Sequence, residues 1–184
     1  DKATYIAVTY GEDLPEELVS VVNETDEVEV YIIDFSYSSE VLDDLNNRVN
    51  KLMVLDHHKT SEEALRGRDY ALFDMNKSGA VLGYKYFHPG EPVPLALQMV
   101  QDRDLWTWAL DGTMEFSLGF ERHKDDMSQW DKVCFDNDYL NDVLSDGSKI
   151  YLYQVTQVAQ LAKKAKLRDV CVQDKKYSIA LINS

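Results

Sequence analysis

Two apolar runs end in the same way, and this repeat constrains the fold more than any other feature. Val28 to Ile33 is nearly continuous, β-branched, and stops at Asp34. Leu52-Met53-Val54-Leu55 stops at Asp56. Short runs of this kind, buried on both faces, are typical of central parallel strands. Helical stretches fit around them: about 15–23, where Pro15 suits a first helical turn, about 39–48 behind Ser38 or Ser39, and 78–87 capped by Ser78. Residues 4–9 and 70–73 read as two further strands, the latter ending at Asp74. Strands alternating with helices argue for an α/β domain with a parallel sheet flanked by helices. Ligands gather at the carboxyl ends of such strands, which places Asp34 and Asp56 on one rim.

After His88-Pro89-Gly90 the pattern changes. Residues 93–101 form an apolar helix, 113–144 look helical but broken, and 146–167 predict one long helix with Ile150, Val155, Val158, Ala159 and Ala162 along a stripe. Residues 170–172 and 177–182 pair as a hairpin around 173–176. The expected division is an α/β domain over 1–145, incomplete at its N-terminus, a linker helix over 146–167, and the start of a small C-terminal substrate-binding domain over 168–184. The chain reads as a piece of a longer protein or a shortened relative.

Composition narrows the function classes. Hydrophobic residues make up 45% and charged residues 28%, as in an ordinary soluble globular protein and not a disordered one. No apolar run approaches the ~20 residues that cross a bilayer, and residues 1–5 lack a signal-peptide pattern; no membrane partner is expected. The net charge of −14 repels a long nucleic-acid backbone unless metal ions or a basic patch intervene. Cys134 and Cys171 form no Cys-x-x-Cys pair, so a disulfide framework and a thiolate zinc site are not expected, and a reducing, cytoplasmic setting fits.

The chemistry-bearing segment is Val54-Leu55-Asp56-His57-His58-Lys59-Thr60. A buried strand delivers an aspartate and two adjacent histidines into a rim loop. Imidazole and carboxylate together suit Mn²⁺, Fe²⁺, Zn²⁺ or Mg²⁺. Adjacent histidines point different ways, so one serves as a ligand and the other faces substrate. Asp34, on the same rim, is a candidate bridging carboxylate, although a strand-end aspartate can also simply cap the next helix. In Gln101-Asp102-Arg103-Asp104-Leu105-Trp106 two carboxylates flank an arginine, a pattern that also suits a surface ion-pair cluster. Ser78-Gly79 opens a helix whose N-terminus can admit a phosphate or be an ordinary cap. His88 and His123 read as surface histidines. Trp106, Trp108 and Trp130 read as core residues, with base stacking as the alternative.

Asp56-His57-His58 after a buried strand, with Ile33-Asp34 upstream, resembles the DHH phosphoesterase superfamily, which includes RecJ-type exonucleases, nanoRNA and cyclic-dinucleotide phosphodiesterases, exopolyphosphatases and manganese pyrophosphatases. The likeness runs on through Met75-Asn76-Lys77-Ser78-Gly79-Ala80-Val81-Leu82 and Asp102-Arg103-Asp104-Leu105-Trp106, and covers most of residues 1–172. It implies a two-metal site, usually of Mn²⁺ with Mg²⁺ as the alternative, at which water attacks phosphorus. Carried over by position, Asp34 is the carboxylate shared by both ions, His57 and Asp102 bind the second ion, and Asp104 is the fallback for Asp102. Asp56 supports His57 from behind, His58 faces the phosphate or leaving oxygen, and Ser78, Gly79 and Arg103 contact substrate. Two family features are absent: a His-x-Asp-x-Asp-Gly motif on an upstream strand, and a Gly-Gly-Gly-His segment in a second domain. The resemblance thus implies a metal-dependent phosphodiesterase or phosphohydrolase of short oligonucleotides, cyclic dinucleotides or other small phosphate esters, and a homodimer is compatible with it. The alternatives are a non-catalytic remnant that binds a nucleotide or partner, and a polyphosphate or pyrophosphate hydrolase.

Overall fold

The computed structural model describes residues 3–25 and 27–182. The outermost parts of the expected domains, residues 1–2 and 183–184, lie outside the described residues. The chain divides into two compact units, Asp1–Val93 and Pro94–Ser184. The helical stretch 94–145, expected within the α/β domain, belongs with the long helix instead.

The first unit runs α1 (Glu16–Glu24), β1 (Glu29–Ile33), α2 (Ser39–Asn46), β2 (Lys51–Asp56), α3 (Lys59–Ala64), β3 (Ala71–Phe73) and α4 (Gly79–Phe87). The three strands form a parallel sheet in the order β1-β2-β3. Ile33 is in register with Leu55, and Asp56 with Phe73. The core takes Val30 and Ile32 from β1, Leu52 and Val54 from β2, Leu42 and Leu45 from α2, and Phe35, Leu65 and Tyr70 from the connections. Leu42, Val54 and Leu55 are fully buried, and burial of each such side chain contributes about 1.5–3 kcal/mol. The sheet's lower flank is tied by Arg68, which donates from Nε and Nη2 to both oxygens of Asp43, while the Tyr70 hydroxyl donates to Asp43 Oδ1. The Arg68 and Tyr70 hydrogen bonds pull the Asp43 pKa down to about 2.

Residues 4–9 are a correction. They are not a strand. Ile6 and Val8 are half-buried and Ala7 between them is exposed, an alternation a strand would show, but the segment joins no ladder among the described residues. Conversely, α3 is a helix that periodicity did not announce: Lys-Thr-Ser-Glu-Glu-Ala has no apolar stripe and buries nothing.

The second unit holds α5 (Leu95–Asp104), α6 (Thr113–Phe120), a 3-10 turn at Glu121–His123, α7 (Met127–Phe135), α8 (Asn137–Lys163), β4 (Lys166–Val172) and β5 (Lys175–Leu181). Its core is Ala96, Met99, Phe116, Phe120, Val133, Leu140 and Val143, with Trp130 packed against it. The long helix is unbroken over 150–162, as its apolar stripe required. It begins nine residues earlier than the sequence suggested, because Asp136 Oδ1 accepts the Asp138 and Tyr139 amides and caps the helix there. It ends at Lys163, and Lys166 already opens β4. Glycine lets α6 and α8 close together: a Cβ at Gly147 would run into the Glu115 carbonyl. The antiparallel β4–β5 hairpin turns through Gln173 and Asp174, both left-handed, as a two-residue hairpin loop demands. Among the described residues no helix is long and apolar enough to cross a membrane.

Candidate metal centre

The parallel register brings the two strand-end aspartates together. Asp34 N–H donates to the Leu55 carbonyl at 2.9 Å, one step past the β1–β2 ladder, so Asp34 sits directly beside the end of β2. Its backbone is left-handed, with φ 61°. Asp tolerates this region better than most residues, yet such a conformation costs about 1–3 kcal/mol and tends to cluster at functional sites. The turn aims the Asp34 side chain at the rim, with Oδ1 3.1 Å from His57 Nε2. Asp34 is half exposed, and His57 is 12% exposed.

Asp56 is entirely buried. Its Oδ1 accepts the backbone amides of His57 (2.7 Å) and His58 (3.3 Å) and faces His58 Nδ1 at 2.7 Å. The expected partnership of Asp56 with the His57 ring is therefore corrected. The loop wraps both amides around Oδ1, and this folds the i+2 imidazole, that of His58, back over the carboxylate. Asp56 Oδ2 is buried and has no hydrogen-bond partner among the described residues, an arrangement that is costly unless a cation or proton meets it. The His57 and His58 rings stand 4.6 Å apart with their planes at 57°, close enough for both imidazoles to join one cluster of candidate ligands. Ligand atoms of Asp34, Asp56, His57 and His58 all fall within 4.8 Å of one another.

The donor set fits a divalent cation. Two ligands each ~2.1 Å from one ion lie roughly 3.0–3.4 Å apart across a coordination edge, and the Asp34–His57 spacing is in that range. Imidazole plus carboxylate is the chemistry of Mn²⁺, Zn²⁺ or Fe²⁺, and oxygen-rich sets admit Mg²⁺.

The third strand-end aspartate is used differently. Asp74 Oδ1 accepts the Asn76 amide, and Oδ2 pairs with Lys77. Ser78 caps α4, its hydroxyl accepting the Val81 amide at 3.3 Å. Gly79 is a spacer: a Cβ there would overlap the Asp34 side chain. The α4 N-terminus thus faces Asp34, and the space expected for a phosphate at Gly79 is filled by that carboxylate.

Asp102, expected as a metal ligand, is corrected. It is 5% exposed, and both oxygens are occupied. Oδ1 accepts from Thr107 Oγ1 (2.5 Å) and Ala109 N–H (2.8 Å); Oδ2 accepts from Leu110 N–H (3.1 Å) and Thr113 Oγ1 (2.6 Å). Burial alone would raise its pKa, but the two hydroxyls and two amides outweigh burial and hold it well below the usual carboxylate range. Four donors saturate a carboxylate's lone pairs. Asp102 organises the loop after α5, and both Arg103 and Asp104 are exposed at the end of that helix.

Tyr10 was not singled out from the sequence. Its ring lies 4.5 Å from Phe35, next to Asp34. Burial, then the charges of Asp56 and Asp34, raise its phenol pKa. The only sequence signal is an aromatic before the turn at Gly11, which is too common to be read.

No family model matches the chain, and no solved structure matches it. Over 166 residues, 89% of its length, it is 31% identical to the uncharacterized protein R106 of Acanthamoeba polyphaga mimivirus. The chain spans 39% of the length of that viral protein.

Proposed function

We propose that the chain carries the metal-binding part of a DHH-type phosphoesterase acting on short oligonucleotides, cyclic dinucleotides or other small phosphate esters. The observation that supports this most is the Asp34–His57 pair on the rim of a parallel sheet, beside a wholly buried Asp56 whose Oδ2 has no hydrogen-bond partner among the described residues. Asp34 and His57 would hold the ion, with Asp56 Oδ2 as the further donor. Mn²⁺ or Mg²⁺ there would supply positive charge for phosphoryl oxygens and for water activation. The chain's own residues supply the rest. Asp56 accepts from His58 Nδ1 and so fixes that ring's orientation and tautomer, which leaves the unprotonated Nε2 as the atom that takes a proton from the attacking water and returns it to the leaving oxygen. Asp34 takes its position from the left-handed turn and from the room that Gly79 leaves. The acidic charge of the chain favours small substrates over long duplexes. Two free cysteines suit a cytoplasmic setting.

One observation favours a second reading, a binding domain without turnover: Asp102 is saturated by its own loop and offers no ligand. A substrate panel with Mn²⁺ decides between them. Mononucleotide release from a dinucleotide or cyclic dinucleotide, abolished in His58→Ala, supports the phosphodiesterase; cleavage of pyrophosphate alone favours the polyphosphate-type enzyme; metal-dependent nucleotide binding without any product favours the binding domain.

A further inference from the structure

The loop held by Asp102 displays two indoles that the reaction above does not use. Trp106 and Trp108 both have left-handed backbone, with φ 57° and 51°. A bulky side chain rarely adopts this region, and such strain persists only where the surroundings over-determine it, often at ligand clamps. Here the surroundings are explicit. Trp106 N–H donates to the Arg103 carbonyl and Trp108 N–H to the Asp102 carbonyl, while Thr107 and Ala109, on either side of Trp108, bind the Asp102 carboxylate. The loop is pinned at every step. The rings lie 5.1 Å apart and nearly perpendicular, at 80°, with Trp106 75% exposed and Trp108 half-buried. The core of this unit takes in Trp130 and includes neither of the other two. The strain is therefore not the result of packing an indole inward; it holds one outward.

We propose that the Trp106–Trp108 corner is a stacking site for a purine base. The choice of ligand rests on the phosphoesterase reading, since the small phosphate esters that carry a flat aromatic ring are nucleotides. A base lying parallel on the exposed Trp106 ring stands nearly perpendicular to the Trp108 plane, and offset stacking and edge-to-face contact are the two arrangements aromatic rings prefer. Arg103 and Asp104 adjoin the loop with opposite charges, so the ring, and not the phosphate, supplies the recognition. A purine covers more indole than a pyrimidine and binds better.

Tryptophan fluorescence, excited at the red edge and measured in EDTA, tests this without the metal. Adenosine and AMP should quench saturably and to a similar extent, and ribose 5-phosphate should not quench. Trp106→Ala and Trp106→Leu should weaken adenosine binding at least ~5-fold, as loss of a base–aromatic stack requires. Trp106→Phe should retain most of it, and Trp130→Phe all of it. Quenching by ribose 5-phosphate, or adenosine binding unchanged in both Trp106→Ala and Trp106→Leu, would overturn the proposal. So would no response to adenosine, including the case where Trp106→Ala converts a dimer to a monomer in sedimentation, which would make the corner a self-association surface. A chain that stacks adenosine but binds no Mn²⁺ would sink the phosphoesterase reading alone.

Discussion

At the scale of single residues, two aspartates that look alike in the sequence have opposite tasks. Asp34 keeps a half-exposed carboxylate 3.1 Å from His57; Asp102 is buried and saturated by four donors. Sequence reading reached the first because an apolar strand delivers it to a rim. It missed the second because Thr107, Ala109, Leu110 and Thr113, which fill its lone pairs, are unremarkable until the loop closes on them. Asp102→Ala should therefore act as a stability variant, lowering the melting temperature by at least ~5 °C while Mn²⁺ affinity stays at wild-type level; thermal denaturation and calorimetry read the two effects separately. Asp43 gives a pH signature. Its folded pKa, about 2, lies below the ordinary aspartate value of 3.8. The stabilisation from its Arg68 and Tyr70 contacts is fully present above the unfolded value and fades as pH falls through about 2. In Asp43→Asn that fall should be shallower between these two values, as acid unfolding followed by circular dichroism would show.

At the scale of elements, strands β1, β2 and β3 and helices α1, α2, α4, α5 and α8 were legible because apolar periodicity and caps agree with the tertiary packing. Two kinds of element were not. The stretch at 4–9 has strand composition but finds no ladder, and pairing is a property of the sheet that one segment cannot reveal. Helix α3 has helical backbone without an amphipathic pattern, because it covers no core. The α6–α8 contact was also hidden, since its key is a bare glycine in the middle of a polar helix. Gly147→Ala forces a Cβ onto the Glu115 carbonyl and should destabilise the second unit by about 1–3 kcal/mol, measurable by urea unfolding. An unchanged midpoint would mean the helices separate easily.

At the scale of the whole molecule, the claim is that a parallel sheet has assembled a cation site from residues of two adjacent strand ends. Within the candidate site, Asp34, Asp56, His57 and His58 were legible from the sequence; the pairing of Asp56 with His58, and the presence of Tyr10 nearby, depend on how the loop folds. The most direct test is calorimetric titration of the chain with Mn²⁺, beside Asp34→Asn and His57→Ala. The account predicts one ion per chain, with affinity falling more than ~100-fold in either variant, since even partners behind the ligands are worth 10–100-fold. No Mn²⁺ binding by the wild-type chain, or binding that survives both substitutions, would contradict it.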